Sequence, residues 1–275
     1  MERLAKRKRT NDTIAIEHTH WRISRNIPAS LFGTAVLNQL FYAESEWKRM
    51  RLILAGCEYV GTTSLANAID DWMAATMGTR FSLIHDHWKI PHTSGHPDDT
   101  TSVEQALLLK TTPKFKEMHQ RHSLYYHVQA NAFITPDHLM IGAHIEDAVY
   151  GPMYFGYGEK GVAHDRELVM HQVERTILGF TTDTVVVHVT ANTEVIKQRM
   201  KDDPHENQVI QESDIERVKA RFTELVDWSL LGMKITVDNS GSIADTLTEF
   251  VLKIEPSLTD TDRSRIQAHG LLQGR

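Results

Sequence analysis

The stretch Gly56-Cys57-Glu58-Tyr59-Val60-Gly61-Thr62-Thr63-Ser64 restricts this chain more than any other. Before it, Leu52–Ala55 has the pattern of a short buried strand; after it, Thr63–Ala75 has the periodicity of a helix. Two glycines with four residues between them, followed by hydroxyl side chains and set between strand and helix, have the spacing of a phosphate-binding loop, G-x-x-x-x-G-K-[ST]. Such a loop turns successive main-chain N–H groups inward, and the following helix N-terminus adds a partial positive charge. Glycine is expected where a Cβ would obstruct an approaching phosphate. The phosphate-contacting set is therefore expected at Gly56, Tyr59, Val60, Gly61, Thr62, Thr63 and Ser64, with the Thr63 hydroxyl placed to ligate Mg²⁺. Thr62 stands where the loop usually carries lysine. A charge-assisted hydrogen bond contributes about 1.5–3 kcal/mol, so its loss weakens phosphate binding by about 10–100-fold unless another group replaces it.

The rest of the chain supplies a frame for that loop. Residues 1–28 are polar and charged and read as a loosely held arm, and residues 29–48 as a helix with Leu37, Leu40, Phe41 and Trp47 near helical spacing. Further strands are expected at Arg80–His85, His138–Ile145, Thr184–Val189 and Lys234–Val237. Helices are expected at Pro113–Gln129, Asp165–Leu178, Thr193–Lys201 and Ile243–Ile254, with residues 88–112 rich in loop. Ser213 and Glu216 have capping-box spacing and open a helix that carries Ile215, Val218, Phe222 and Leu225 on one stripe. Strands alternating with helices imply an α/β fold, a three-layer α/β/α arrangement around a mostly parallel sheet. Residues 1–48 form the arm and helix, 49–255 the main domain, and 256–275 a polar tail.

From Arg51 to Glu255 the chain resembles the P-loop nucleoside and nucleotide kinases, the group of thymidylate kinase and the deoxynucleoside kinases. The resemblance rests on GCEYVGTTSL, on His85-Asp86-His87-Trp88-Lys89-Ile90-Pro91 after the second strand, on Thr184–Lys201, and on Ile235–Ser242. It implies ATP and Mg²⁺ as cofactors, a nucleotide and a small-molecule substrate, and phosphoryl transfer between them. Asp86 matches a carboxylate of the pattern D-x-[WF]-K-x-P that contacts the acceptor hydroxyl or the metal's water, so Thr63 and Asp86 form the implied metal pair. Arg199, with Lys197 and Lys201, precedes a lid-like segment of about 199–213, and its charge could replace the missing lysine. Asn239 follows the strand that lies beside the adenine in these kinases. The family's D-R or E-R-S signature appears here as Ile145-Glu146-Asp147, without arginine, and leaves Glu146 as the implied catalytic carboxylate. Association of protomers through helices is common in this group, which makes a homodimer an expectation of the resemblance.

Composition narrows the alternatives. Thirty basic against thirty-six acidic residues give a net charge of −6, which argues against bulk electrostatic binding of nucleic acid. The single cysteine, Cys57, excludes an internal disulfide framework and a cysteine-based zinc site. The basic N-terminus lacks the apolar stretch of a secretory signal, and no apolar run has membrane-spanning length, so a soluble cytoplasmic protein is expected. Among sixteen histidines, His119 and His122 share a helical face that could hold a metal, yet a third ligand is not evident. Tyr150, Tyr154, Phe155 and Tyr157 could stack on a substrate ring, although core packing is the commoner use. Two other functions compete. A sulfotransferase using 3′-phosphoadenosine-5′-phosphosulfate has a loop like G-x-P-[RK]-S-G-T-T, which accepts threonine at Thr62, but Thr190-Ala191-Asn192 lacks that family's arginine. A catalytically inactive P-loop protein used for binding or assembly fits the missing lysine and arginine.

Overall fold

In the computed structural model, the residues described are 50–86, 101–128, 137–205 and 207–274. The chain divides into two units, Met1–Glu46 and Trp47–Arg275, and every described residue lies in the second. The expected arm, the 29–48 helix, and His87, His92 and His96 lie outside the described residues.

Strand β1 is Arg51–Ala55, and every residue of it is buried. It lies at the middle of a five-stranded sheet of order β2-β3-β1-β4-β5, with β2 at Leu83–His85, β3 at His138–Ile141, β4 at Thr184–Thr190 and β5 at Met233–Asp238. All pairings are parallel; Leu52 sits opposite Leu139 on one side and Val185 on the other. The apolar runs Leu52–Ala55 of β1 and Val185–Val187 of β4 are what a sheet covered on both faces requires. Helix α1 (Thr62–Met77) packs on β1 and β3, and α8 (Ile243–Ile254) and α9 (Asp260–Leu272) pack on α1. In the second helical layer, α4 (Ala143–Tyr150) meets β1, α5 (Arg166–Leu178) and α7 (Ile215–Trp228). Leu54, Leu65, Ile69 and Met73 between these layers are completely buried, and each such side chain contributes about 1.5–3 kcal/mol relative to exposure. The strand order reverses at β1, so its carboxyl end opens on the crevice where α/β sheets bind ligands. Among the described residues no helix is long and apolar enough to cross a membrane.

Five local expectations change. The strand expected over Arg80–His85 shortens to Leu83–His85. The strand expected over His138–Ile145 ends at Ile141, because Gly142 and Ala143 both take positive φ and turn the chain into α4. The loop-rich segment 88–112 contains helix α2 (Ser102–Lys110), held by a capping box between Thr101 and Glu104, and α3 follows at Pro113–His127. The capping box expected at Ser213–Glu216 does not form. A 3₁₀ turn (Glu212–Asp214) precedes α7, and Glu216 bonds the Thr193 hydroxyl of α6 (Thr193–Asp202). The segment 256–275, expected as a polar tail, carries α9. Its Arg265 pairs with Asp137 at 2.8 Å, and His269 lies against Gly78 at the end of α1.

Candidate active site

The first half of the loop is fastened on every side. A Cβ on Gly56 would overlap the Val189 carbonyl of β4 and the Val60 side chain, so this glycine allows the loop to lie against the sheet. The expected reason, phosphate approach, does not apply at this position. The Val60 amide donates to the Cys57 carbonyl at 3.1 Å, and the Glu58 amide donates to the Tyr150 hydroxyl at 2.9 Å. The Val60 carbonyl accepts from Asn239 Nδ2 at 2.7 Å and from Arg199 Nη1 at 3.1 Å. The same Arg199 nitrogen bonds the Tyr59 carbonyl at 3.1 Å, and Nη2 bonds the Asn239 carbonyl at 2.7 Å. Partial burial lowers the Arg199 pKa, and nearby Asp238 opposes that shift. Asn239 is itself buried. Its Oδ1 accepts from Thr246 and its amide donates to the Thr190 carbonyl. Val60 has no free amide for a phosphate, and Asn239 braces the loop.

The second half is open. Gly61 is the N-cap of α1 with φ 88°, and a Cβ there would overlap Asn239 Nδ2, so only glycine meets both conditions. No side chain caps this helix, and the amides of Gly61, Thr62, Thr63 and Ser64 have no acceptor among the described residues. These four residues line a cavity of about 370 Å³ together with Tyr59, Asn239, Arg199, Asp202, Asp203 and His205. At its edge Thr63 Oγ1 donates to Asp86 Oδ2 at 2.7 Å. The expected metal pair is thus brought together, whereas Gly56, Val60 and Glu146 do not line the cavity.

The lid-like segment is fixed by side chains of the loop. The buried Glu58 carboxylate accepts from the amides of Val209 (2.8 Å) and Ile210 (3.2 Å) and lies 3.2 Å from His205 Nδ1. The Tyr59 hydroxyl accepts from the His205 amide at 2.8 Å and donates to Gln208 Oε1 at 2.9 Å. The Tyr59 and His205 rings stack at 4.1 Å. The basic residues expected to close on phosphate are otherwise engaged: Lys197 pairs with Glu194 on the surface, and Arg199 holds main-chain carbonyls. Arg217 and Arg221 pair with Asp214, Glu167 and Glu224, as surface residues do.

Glu146 occupies the first turn of α4, not the end of a strand. It is close enough to raise the proton affinity of Cys57 and Tyr150, both of which burial pushes up first. The tyrosines pack in the core and use their hydroxyls as ties: Tyr150 to the loop, Tyr154 to Asp214 and Tyr157 to Asp147. His85, His127 and His138 are buried; burial, then His85, Arg51 and His127, lowers the His138 pKa to about 3. No group of three metal-ligating side chains occurs among the described residues, His119 and His122 included. Sequence reasoning missed Glu58 and His205 as parts of this site, and it offered Tyr150 for ring stacking, whereas its hydroxyl holds the loop. The only signal was a charged residue inside a glycine-bounded loop.

No protein-family model and no curated protein sequence matches the chain. Solved structures do. Deoxyadenosine kinase from M. mycoides, with products dCMP and a flexible dCDP bound, aligns at 14% identity over 75% of this chain and 100% of its own, with a TM-score of 0.51. The same enzyme with bound dATP aligns at 13% identity over 74% and 99%, with a TM-score of 0.50. Thymidylate kinase from Candida albicans aligns at 15% identity over 76% and 92%, with a TM-score of 0.49. At these identities the likeness is one of fold.

Proposed function

Starting from the P-loop kinase fold of this chain, we propose that it is a Mg²⁺-dependent phosphotransferase. In this reading the polyphosphate of ATP lies on Gly61–Ser64, and its terminal phosphoryl group passes to a nucleoside, nucleotide or similar small molecule. One observation carries the reading: the Gly61–Ser64 amides have no acceptor among the described residues and stand at the N-terminus of a sixteen-residue helix beside a cavity of about 370 Å³. Donors of that kind favour an anion. Phosphoryl transfer depends on positioning and charge stabilisation more than on covalent chemistry by the protein. The bonds of Arg199 and Asn239 to the Tyr59 and Val60 carbonyls supply the positioning.

The Thr63 hydroxyl and Asp86 carboxylate, 2.7 Å apart, are hard oxygen donors of the type Mg²⁺ takes. Bound there, Mg²⁺ would neutralise charge on the phosphates. Asp86 is also our candidate to orient the acceptor hydroxyl and take its proton. Arg199 acts through the loop as a positioning residue. Glu146 lies outside the cavity lining and is given no catalytic part in this reading.

A second reading, nucleotide binding without turnover, is favoured by Thr62 and by the two carboxylates, Asp202 and Asp203, that line the cavity. Calorimetry with ATP–Mg²⁺ and with 3′-phosphoadenosine-5′-phosphosulfate, followed by a phosphoryl-transfer assay over a panel of nucleosides and nucleotides, separates the readings. The kinase reading expects ATP–Mg²⁺ to bind and its γ-phosphoryl group to move. Binding of the sulfonucleotide alone overturns it, and binding of ATP without transfer supports the second reading.

A further inference from the structure

The kinase reading leaves one charge unsupplied, that of the lysine replaced by Thr62. The described side chains lining the cavity include two that can be cationic, Arg199 and His205. Arg199 bonds the carbonyls of Tyr59, Val60 and Asn239. His205 is placed differently. Its ring lies on Tyr59 with the planes 17° apart, its amide is bonded to the Tyr59 hydroxyl, and Nδ1 lies 3.2 Å from Glu58 Oε1. The second Glu58 oxygen is held by the Val209 and Ile210 amides, so this buried carboxylate is fixed in place. His205 Nε2 has no hydrogen bond to a described residue, and the side chain is 43% exposed. With Nδ1–H donated to a carboxylate, the opposite nitrogen is the basic one. Protonated there, the ring donates from both nitrogens, one to Glu58 and one outward.

We propose that His205 is the cation of the phosphate site. It stands in for the absent loop lysine and makes polyphosphate binding depend on a proton. The proposal rests on the reading that Gly61–Ser64 takes the polyphosphate of a nucleotide. Other groups face the ring or the same cavity: Glu58 and Tyr59 from the loop, and Asp202, Asp203 and Arg199 from α6 and the turn after it. The sign follows from linkage. An anion that binds the imidazolium takes up a proton on binding, so affinity rises as pH falls.

The test is calorimetric titration of ATP–Mg²⁺ into the full chain, His205→Asn and His205→Asn/Thr62→Lys, at about pH 6 and about pH 8. The nucleotide's own ionisation is common to all three proteins and cancels in the ratios. The proposal expects His205→Asn to bind about tenfold more weakly than the parent at the lower pH and equally at the higher. It expects the double variant to regain the affinity without the pH dependence. If His205→Asn loses the same factor at both pH values, the histidine is only a structural part of the turn and the proposal is overturned. Equal binding by parent and variant at both values overturns it too. In either case the loop reading survives, because the parent binds. No binding by the parent at any pH overturns both.

Discussion

Gly56–Val60 and Gly61–Ser64 adjoin in sequence and differ in what their backbones do. In the first half the Glu58 and Val60 amides and the Tyr59 and Val60 carbonyls are all bonded, to Tyr150, Cys57, Arg199 and Asn239. In the second half the amides have no acceptor among the described residues, and the one helix cap is a glycine. The first half is an anchor, and in the function proposed above the second is the receptor. The division shows how a loop with one open side keeps its shape: bonds on the sheet side hold it, so the open amides need not move to meet a ligand. Preorganised donors of this kind stabilise charge without reorganisation at the moment of reaction.

The contrast can be broken or sharpened at four positions. Asp86→Ala removes the carboxylate bonded to Thr63 on the receptor side. Turnover should fall about 10²–10⁴-fold, the usual contribution of a positioned base, with ATP–Mg²⁺ still bound. Full activity in a single-turnover assay would remove Asp86 from the chemistry. Asn239→Ala attacks the anchor, because it removes a donor from the Val60 carbonyl and the 2.8 Å side-chain acceptor from the Thr246 hydroxyl. Urea unfolding should show a loss of about 2–4 kcal/mol, with nucleotide affinity falling alongside. An unchanged midpoint would mean that the brace carries no load. Glu58→Gln takes a charge-assisted acceptor from Val209 and Ile210 and should cost about 1–3 kcal/mol. Hydrogen exchange is the sharper readout: those two amides should exchange faster while the helix α1 amides keep their protection. Thr62→Lys adds charge on the receptor side only. ATP–Mg²⁺ should bind about tenfold tighter, with stability changed by less than about 0.5 kcal/mol, and unchanged affinity in calorimetry would argue that the loop takes no phosphate.

The receptor half is legible in sequence because it is local. Glycine spacing, the helix start and the paired hydroxyls are neighbours in the chain, whereas the Thr63–Asp86 meeting joins the ends of β1 and β2, which β3 separates in the sheet. The anchor half is not legible, since its bonds join residues far apart in the chain. Glu58 reaches Ile210 across 152 positions and Asn239 reaches Val60 across 179. Nothing in the residue type says that Arg199 will hold carbonyls instead of closing on phosphate. The same reason separates the helices that can be read from those that cannot. Ile243–Ile254 buries Phe250 and Ile254 on an apolar stripe and has the expected limits. By contrast, α2 buries no residue, and α9 docks through Asp262, Arg265 and His269, so neither leaves an apolar periodicity. At Ile145 an apolar run continues through a turn, and periodicity alone does not separate strand from helix there.

The most direct measurement follows each main-chain amide in ¹H–¹⁵N spectra as ATP–Mg²⁺ is added. The Gly61, Thr62, Thr63 and Ser64 signals should shift together and gain protection from exchange, while the Glu58 and Val60 signals keep the protection they have without nucleotide. Saturable binding that moves neither Gly61 nor the first turn of the helix would contradict a phosphate receptor at this end of the sheet.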